Sequence, residues 1–248
     1  MLKKAVAIAE SCGFKLVHGI VDSMWLKKPN ATEEEYRSLC NQIENELGLP
    51  ISFEGRYKWI VFLNSRVNPK LPVLNRYYGV FQDGTLKVRG IELRRHDTPE
   101  IVRKCQTDTL SVLSQANNSH EFRELMPKAL RVMKQYVSLL TTGNVPVEEL
   151  VIEKRLSKSP SEYTNLVPQA IAAQHLVREG SKVHAGQNVS FVISNNDSRI
   201  VANRAVPVEL TDESTPYDPA AYIDLILRCA TNLFLPFELD INSLMESM

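Results

Sequence analysis

Apolar and polar positions follow two different rhythms along this chain, and the change of rhythm divides it. Over 2–12 the apolar residues of "LKKAVAIAESC" recur at helical spacing, and Gly13 closes the segment. "KLVHGIVDSMW", Lys15 to Trp25, reads as two short strands around Gly19 to Ser23. In "ATEEEYRSLCNQIENELG", Thr32 with Glu35 three residues on is a capping box. Tyr36, Leu39, Cys40, Ile43 and Leu47 then form a stripe at helical spacing that Gly48 ends. From 51 to 96 the period falls to that of strands. "RYKWIVFL" is rich in strand formers, and Asp83-Gly84 lies between two alternating segments, a hairpin signal.

After "HDTPE" the pattern turns helical. Thr98 with Pro99 at the first helical position starts one helix. A longer one follows, carrying Phe122, Leu125, Met126, Ala129, Leu130, Met133, Tyr136, Val137 and Leu140 on one face, a stripe that reads as core. A strand at "ELVIEKRL", a helix from about Pro168 to Gly180, a strand at "NVSFVIS" and a helix from Asp218-Pro219 through Leu233 complete the chain. The pattern predicts an α+β protein with a boundary near residue 96, a mixed sheet part before it and a mostly helical part after it. No internal repeat or low-complexity segment interrupts it.

Charge changes this picture more than composition does. The 248 residues carry 29 Lys+Arg and 29 Asp+Glu, a net charge of zero. That total hides two poles: residues 56–104 hold eleven basic against four acidic side chains, and residues 205–248 hold one against eight. A basic segment is either a solvated face or a surface for a polyanion such as nucleic acid. No run of eighteen apolar residues predicts a membrane span. The start "MLKKAVAIAESCG" reads as a helix rather than a secretion signal, because Glu10 interrupts its apolar run. Cys12, Cys40, Cys105 and Cys229 are scattered without a C-x-x-C pair, which argues against a zinc site or disulfide framework and for a reducing cytoplasm.

Candidate chemistry is sparse. The five histidines lack ligand spacing, and neither a G-x-S-x-G elbow nor a phosphate-cradling glycine loop occurs. What remains is Asp22, a lone acid flanked by Ile20, Val21, Met24 and Trp25, and Glu54 in "ISFEGRYKW" ahead of the basic hairpin. An aspartate at a hairpin turn bonds its own backbone, and an aspartate among apolar neighbours is compensated by a cation; Asp22 fits either reading. Two carboxylates from adjacent strands facing a basic surface suit a Mg²⁺ site that handles phosphates, but two acids are too few to complete one.

The order "HGIVDS", "FEGRYKW", "NRYYGVFQDG", "RGIELRRHDTPEIVRKCQ", "EYTNLVPQAIAAQHL" and "YDPAAYI" resembles the C-terminal part of a family-B DNA polymerase over essentially the whole chain. That family's palm hairpin reads tyrosine-glycine-aspartate-threonine-aspartate-serine; here it is His18-Gly19-Ile20-Val21-Asp22-Ser23. Its lysine-lysine-arginine-tyrosine segment is Leu74-Asn75-Arg76-Tyr77 here, and its arginine-glycine and arginine-arginine-aspartate elements are Arg89-Gly90 and Arg95-His96-Asp97. The thumb resemblance runs through Tyr163, Pro168, Tyr217 and Tyr222.

The resemblance implies residues 1–96 as the C-terminal part of the palm and 97–248 as the thumb. It implies Asp22 as a catalytic metal ligand, Glu54 as an outer carboxylate of a two-metal Mg²⁺ site, and Asn75, Arg76, Tyr77, Arg89, Arg95 and Tyr163 as contacts to primer-template DNA. The exonuclease, the fingers and the palm motif with the other aspartate have no counterpart in the sequence. The expected arrangement is therefore the small subunit of a split archaeal polymerase, acting on dNTPs with a separately encoded large subunit, in the cytoplasm at the nucleoid. No Q-x-x-L-aromatic clamp tail stands at "INSLMESM", so no clamp contact is expected from this chain. The alternative is a DNA-holding scaffold whose active site has decayed, which Ile20, Asn75 and His96 favour.

Overall fold

The computed structural model describes residues 1–65, 68, 71–143, 145–237 and 239. Arg66 and Lys70 of the basic segment, and the tail 241–248 on which the clamp reading turns, lie outside them. Helix α1 (Leu2–Ser11) leads into an antiparallel hairpin of β1 (Lys15–Ile20) and β2 (Ser23–Lys27). Helix α2 (Glu33–Leu47) follows. Both halves of its capping box form: the Glu35 amide donates to Thr32 Oγ1 at 3.3 Å and the Thr32 amide to Glu35 Oε2 at 2.8 Å. Gly48 ends it in the left-handed conformation at φ +65° that glycine adopts without steric cost. Ala9, Phe14, Leu39 and Ile43 bury between α1 and α2 as a small core of their own.

Next comes a three-stranded meander of β3 (Tyr57–Asn64), β4 (Pro72–Phe81) and β5 (Leu86–Arg89), antiparallel in that order. Asp83-Gly84 makes the predicted turn, with Gly84 at φ +89° and Asp83 Oδ1 accepting from the Thr85 amide at 2.8 Å. A 3-10 turn, Glu92–Arg94, carries the chain to α3 (Glu100–Ser114) and α4 (Ser119–Thr141). Pro99 is not the first helical residue, as its spacing predicts, but the cap: its ψ of 153° keeps it extended while its carbonyl accepts from the Val102 and Arg103 amides.

The remaining elements are β6 (Ile152–Arg155), α5 (Pro168–Arg178), β7 (Asn188–Ile193), β8 (Ala205–Pro207) and α6 (Pro219–Phe234). β6, β7 and β8 pair antiparallel into a second meander, so the part after residue 96 is a sheet-and-helix layer rather than helices with isolated strands. β8 leaves no signal in the sequence pattern because it is three residues long and ends in proline. The architecture is α+β, as the pattern predicts.

One apolar core spans most of the molecule. Trp59 and Tyr78 from the first meander and Ile91 just after it bury with Leu110 of α3, Phe122 of α4 and Leu233 of α6, so packing is continuous across residue 96. Buried hydrogen bonds tie the same layers. Trp59 Nε1 donates to the Ala116 carbonyl at 3.1 Å, and the Tyr78 hydroxyl donates to the Leu233 carbonyl at 2.7 Å, one of the orphan carbonyls at the end of α6. With the turn after it, α6 is long and apolar enough to cross a membrane, and its face of Tyr222, Ile226, Cys229 and Leu233 is fully buried against the protein. Burial pushes the Cys105 thiol up to about 12 and the Cys229 thiol well above its ordinary value, and all four cysteines are free.

Removing the Tyr78 hydroxyl leaves the Leu233 carbonyl buried without its donor. Tyr78→Phe is expected to lower unfolding free energy by about 1–3 kcal/mol at unchanged urea m-value. An unchanged urea midpoint would show that the carbonyl finds another partner.

Candidate functional site

Ile20 pairs with Ser23, so Val21 and Asp22 form a two-residue turn at the tip of the first hairpin. Val21 is 91% exposed, and Asp22 projects into solvent with Ser23 Oγ donating to its Oδ1 at 3.4 Å. The apolar neighbours that make this acid conspicuous in the sequence therefore do not surround it: Ile20, Met24 and Trp25 lie half-buried below the tip.

Aromatic packing fixes where that tip stands. His18, 8% exposed, packs against the rings of Trp25 and Phe62 at centroid distances of 5.2 and 4.4 Å, and those two rings meet edge-on at 5.7 Å. Trp25 meets Tyr77 edge-on at 5.3 Å. Among the described residues the hairpin shares no hydrogen-bonded ladder with β3 or β4, and rings seat it on their face. Offset and edge-to-face pairs of this kind contribute about 0.5–1.5 kcal/mol each beyond area burial.

Two of the expected site residues have partners within the chain. Tyr77, expected to face a duplex, is only 2% exposed and turns inward to hold the hairpin. Glu54, expected on a strand beside Asp22, lies in the irregular segment before β3 and forms an ion pair with Lys87 on β5. Among the described residues no three acids, histidines or cysteines gather closely enough to hold a metal ion. By itself this donor set does not fit a Mg²⁺ site; Asp22 is a hard-oxygen ligand that needs others.

The basic residues gather around β4, β5 and the turn after them. Arg76 Nε donates to the Gly90 carbonyl at 3.0 Å. Gly90 stands at φ +66°, and a Cβ there would come within 2.4 Å of the Asn75 carbonyl oxygen, so only glycine lets the two strands close here. Asn75 and Arg89 are exposed, and Arg89 pairs in register with Tyr77. Arg95 forks onto Asp97 through Nε and Nη2, both at 2.9 Å. The Arg95 guanidinium holds the Asp97 carboxyl below the usual aspartate range. Arg103 on α3 donates to the Arg95 carbonyl at 2.8 Å and the His96 carbonyl at 3.3 Å, pinning the turn. Sequence reasoning missed Arg103 and Lys87; the place of Arg103, four residues past the helix-capping proline, was the available signal.

Tyr163 lies apart from this ridge in the chain. Its hydroxyl accepts from the Ser157 amide at 2.9 Å and lies 3.3 Å from Ser157 Oγ, which closes the loop after β6. Asn75 and Arg89 leave the first meander on the face that Tyr77 occupies, Arg76 leaves it on the other and reaches Gly90, Arg95 follows in the turn after β5, and Asp22 stands on the hairpin that Tyr77 supports.

The sequence profile of DNA polymerase family B matches residues 2–237. A DNA polymerase of Archaeoglobus fulgidus is 30% identical over 212 residues, covering 86% of this chain and 25% of the relative. DNA polymerase 2 of Aeropyrum pernix is 25% identical over 224 residues, covering 90% and 25%. The solved structure of the family B DNA polymerase from the hyperthermophilic archaeon Pyrobaculum calidifontis superposes with a TM-score of 0.65 at 25% identity, over 93% of this chain and 28% of that one. The chain spans about a quarter of the length of these proteins.

The Arg95–Asp97 fork makes a titration testable. Because the folded carboxyl titrates below its unfolded value, the pair contributes stability above the ordinary aspartate range and loses it as pH falls through the depressed value. NMR titration should give Asp97 a midpoint below the roughly 3.9 of a free aspartate, and Arg95→Ala should raise it. A midpoint that Arg95→Ala leaves in place would mean the fork does not form in solution.

Proposed function

The chain belongs to DNA polymerase family B, and from that membership we propose that it is the C-terminal subunit of a DNA-directed DNA polymerase. Residues 1–96 would complete the palm, residues 97–248 would form the duplex-holding thumb, and a large subunit would carry the exonuclease, the fingers and the rest of the palm. The observation that carries this reading is the exposed carboxylate of Asp22 at the tip of a hairpin seated beside the basic ridge.

The hairpin itself supports a partner. β1 and β2 pair only with each other among the described residues, which leaves both outer edges open, and Val17 and Val21 are 51% and 91% exposed. A two-stranded sheet is marginal alone, and open edges beside apolar side chains are where a further strand is added. An interface of the obligate kind buries on the order of 2,000 Å² or more.

In this reading Asp22 contributes one carboxylate to the metal site, and the partner's acids contribute the rest. Mg²⁺, when bound there, supplies charge neutralisation at the triphosphate of the incoming dNTP. Asn75, Arg76, Arg89 and Arg95 hold backbone phosphates of the primer-template, a contact that fixes position without reading sequence. Tyr77 acts from below, keeping the hairpin in register with the ridge. Glu54 steadies Lys87 through its ion pair rather than meeting the ion. Tyr163 braces the thumb loop, and the protein works where its substrate lies, at the nucleoid.

A second reading, the DNA-holding scaffold, is favoured by Ile20, which stands where the resemblance puts an aspartate. The two part on chemistry. The chain alone should incorporate no nucleotide and should gain incorporation when the large subunit is added; robust synthesis by the chain alone would overturn the split arrangement. In the assembled enzyme, Asp22→Asn keeps shape and removes the charge. Incorporation should fall about 10³-fold, by analogy with losing a principal electrostatic stabiliser, with primer-template binding near normal. Ile20→Asp should change activity by less than about tenfold, or roughly 1.4 kcal/mol of barrier. A wild-type assembly that is inert until Ile20→Asp restores synthesis would establish the scaffold instead.

A further inference from the structure

The turn that leads out of the first meander is gripped from inside by a cluster of polar side chains. Glu92 opens this turn, half-buried, directly after the fully buried Ile91. Its carboxylate is divided between two helices. Oε1 accepts from Asn232 Nδ2 on α6, and Oε2 accepts from Gln106 Nε2 on α3 at 3.0 Å. Both amide side chains are almost wholly buried. The residue after Asn232 is fastened to the same meander, since the Leu233 carbonyl takes the Tyr78 hydroxyl.

The partners dictate the chemistry that position 92 needs. Gln106 Oε1 accepts from the Leu93 amide at 2.6 Å. A backbone N–H only donates, so it orients the Gln106 amide and turns the NH2 group toward Glu92 and Cys229 Sγ, the latter at 2.9 Å. Asn232 also turns its NH2 group to Glu92. Position 92 thus meets a donor on each side and requires a group that accepts twice and donates nothing, which is an ionised carboxylate. A glutamine of the same shape would set its own NH2 group against one of those donors. The turn so held ends at Arg95, whose amide donates to the Glu92 carbonyl at 3.0 Å.

We propose that Glu92 is a positioning residue of the duplex-holding surface: clamped between Gln106 and Asn232, it sets the turn that presents Arg95 to a backbone phosphate. The inference rests on the duplex-holding reading above and deepens it by naming what aims one of its cations. The competing role is stability alone, a polar link that fastens the turn to the helices without governing Arg95. Sign separates positioning from simple charge. Removing an acid beside a polyanion site would by itself tighten binding, whereas loosening the clamp weakens it.

The test is fluorescence anisotropy of a labelled primer-template duplex titrated with the 248-residue chain across a range of salt, at a temperature where thermal melts show every variant folded. Arg95→Ala should weaken binding several-fold and flatten the log–log salt slope by about 0.9, the share of one phosphate. Glu92→Gln should do the same, for two unrelated duplex sequences alike, although it removes no cation. In the Arg95→Ala background it should weaken binding no further. Adding Asn232→Asp to Glu92→Gln gives each acceptor a donor again and should restore affinity and slope. Wild-type or tighter binding in Glu92→Gln, alongside weakened binding in Arg95→Ala, would overturn this inference and leave the duplex-holding reading standing. So would a loss that adds in full to that of Arg95→Ala, because Glu92 would then act elsewhere. Unchanged binding in Arg95→Ala would remove that arginine from the reading and overturn the inference with it. No duplex binding by the wild-type chain would overturn both.

Discussion

Two consecutive tyrosines on β4 carry the molecule between them. Successive side chains on a strand point to opposite faces, so Tyr77 turns to Trp25 and Phe62 while Tyr78 turns to Trp59, Phe122 and the end of α6. Both are almost wholly buried, which is unusual for residues that each carry a hydroxyl. The first seats the hairpin that bears Asp22, and the second fixes the meander to the helices. A one-residue slip of β4 would exchange the two faces and lose both contacts at once. The glycines enforce the register: Gly79 lies where a Cβ would fall 2.8 Å from the Trp59 carbonyl, and Gly90 where it would press on Asn75.

On this frame the charged residues are held rather than free. Arg95 has Asp97, Lys87 has Glu54 and Lys104 has Glu149, all partly exposed. Exposed ion pairs contribute little to stability, typically about 0–1 kcal/mol. Their consequence is positional. A cation oriented by a carboxylate in the free protein has less side-chain freedom left to lose in any further contact. The same pairs keep a segment with eleven basic residues from repelling itself. The acidic pole at 205–248 balances it in the total, although part of that stretch lies outside the described residues.

Continuity of the core bears on how the two parts act together. Trp59, Tyr78 and Ile91 pack with the helices after residue 96, and the buried Trp59–Ala116 and Tyr78–Leu233 hydrogen bonds cross the same line. The basic ridge on β4 and β5 is therefore built on the layer that supports the proposed thumb. The hairpin is seated on this layer by the rings of His18, Trp25, Phe62 and Tyr77. A shift of the hairpin needs no ladder hydrogen bond to break, whereas a shift of the meander against the helices would expose buried donors and acceptors.

By itself the sequence determined what local chemistry decides. The Thr32–Glu35 capping box, the Asp83-Gly84 turn, the apolar stripe of α4 and the hairpin around Asp22 each depend on residues within a few positions of one another, and each forms as its pattern predicts. The ordered motifs identified the family for the same reason, since they are short and contiguous. Tertiary structure decided the rest. Whether Tyr77 faces solvent depends on Trp25, some fifty residues away, and whether Glu54 is available depends on Lys87 across the sheet. Strand β8 exists because β7 offers it a ladder, not because three residues ending in proline prefer one. Such pairings are set by which surfaces bury together, and burial is a property of the folded chain as a whole.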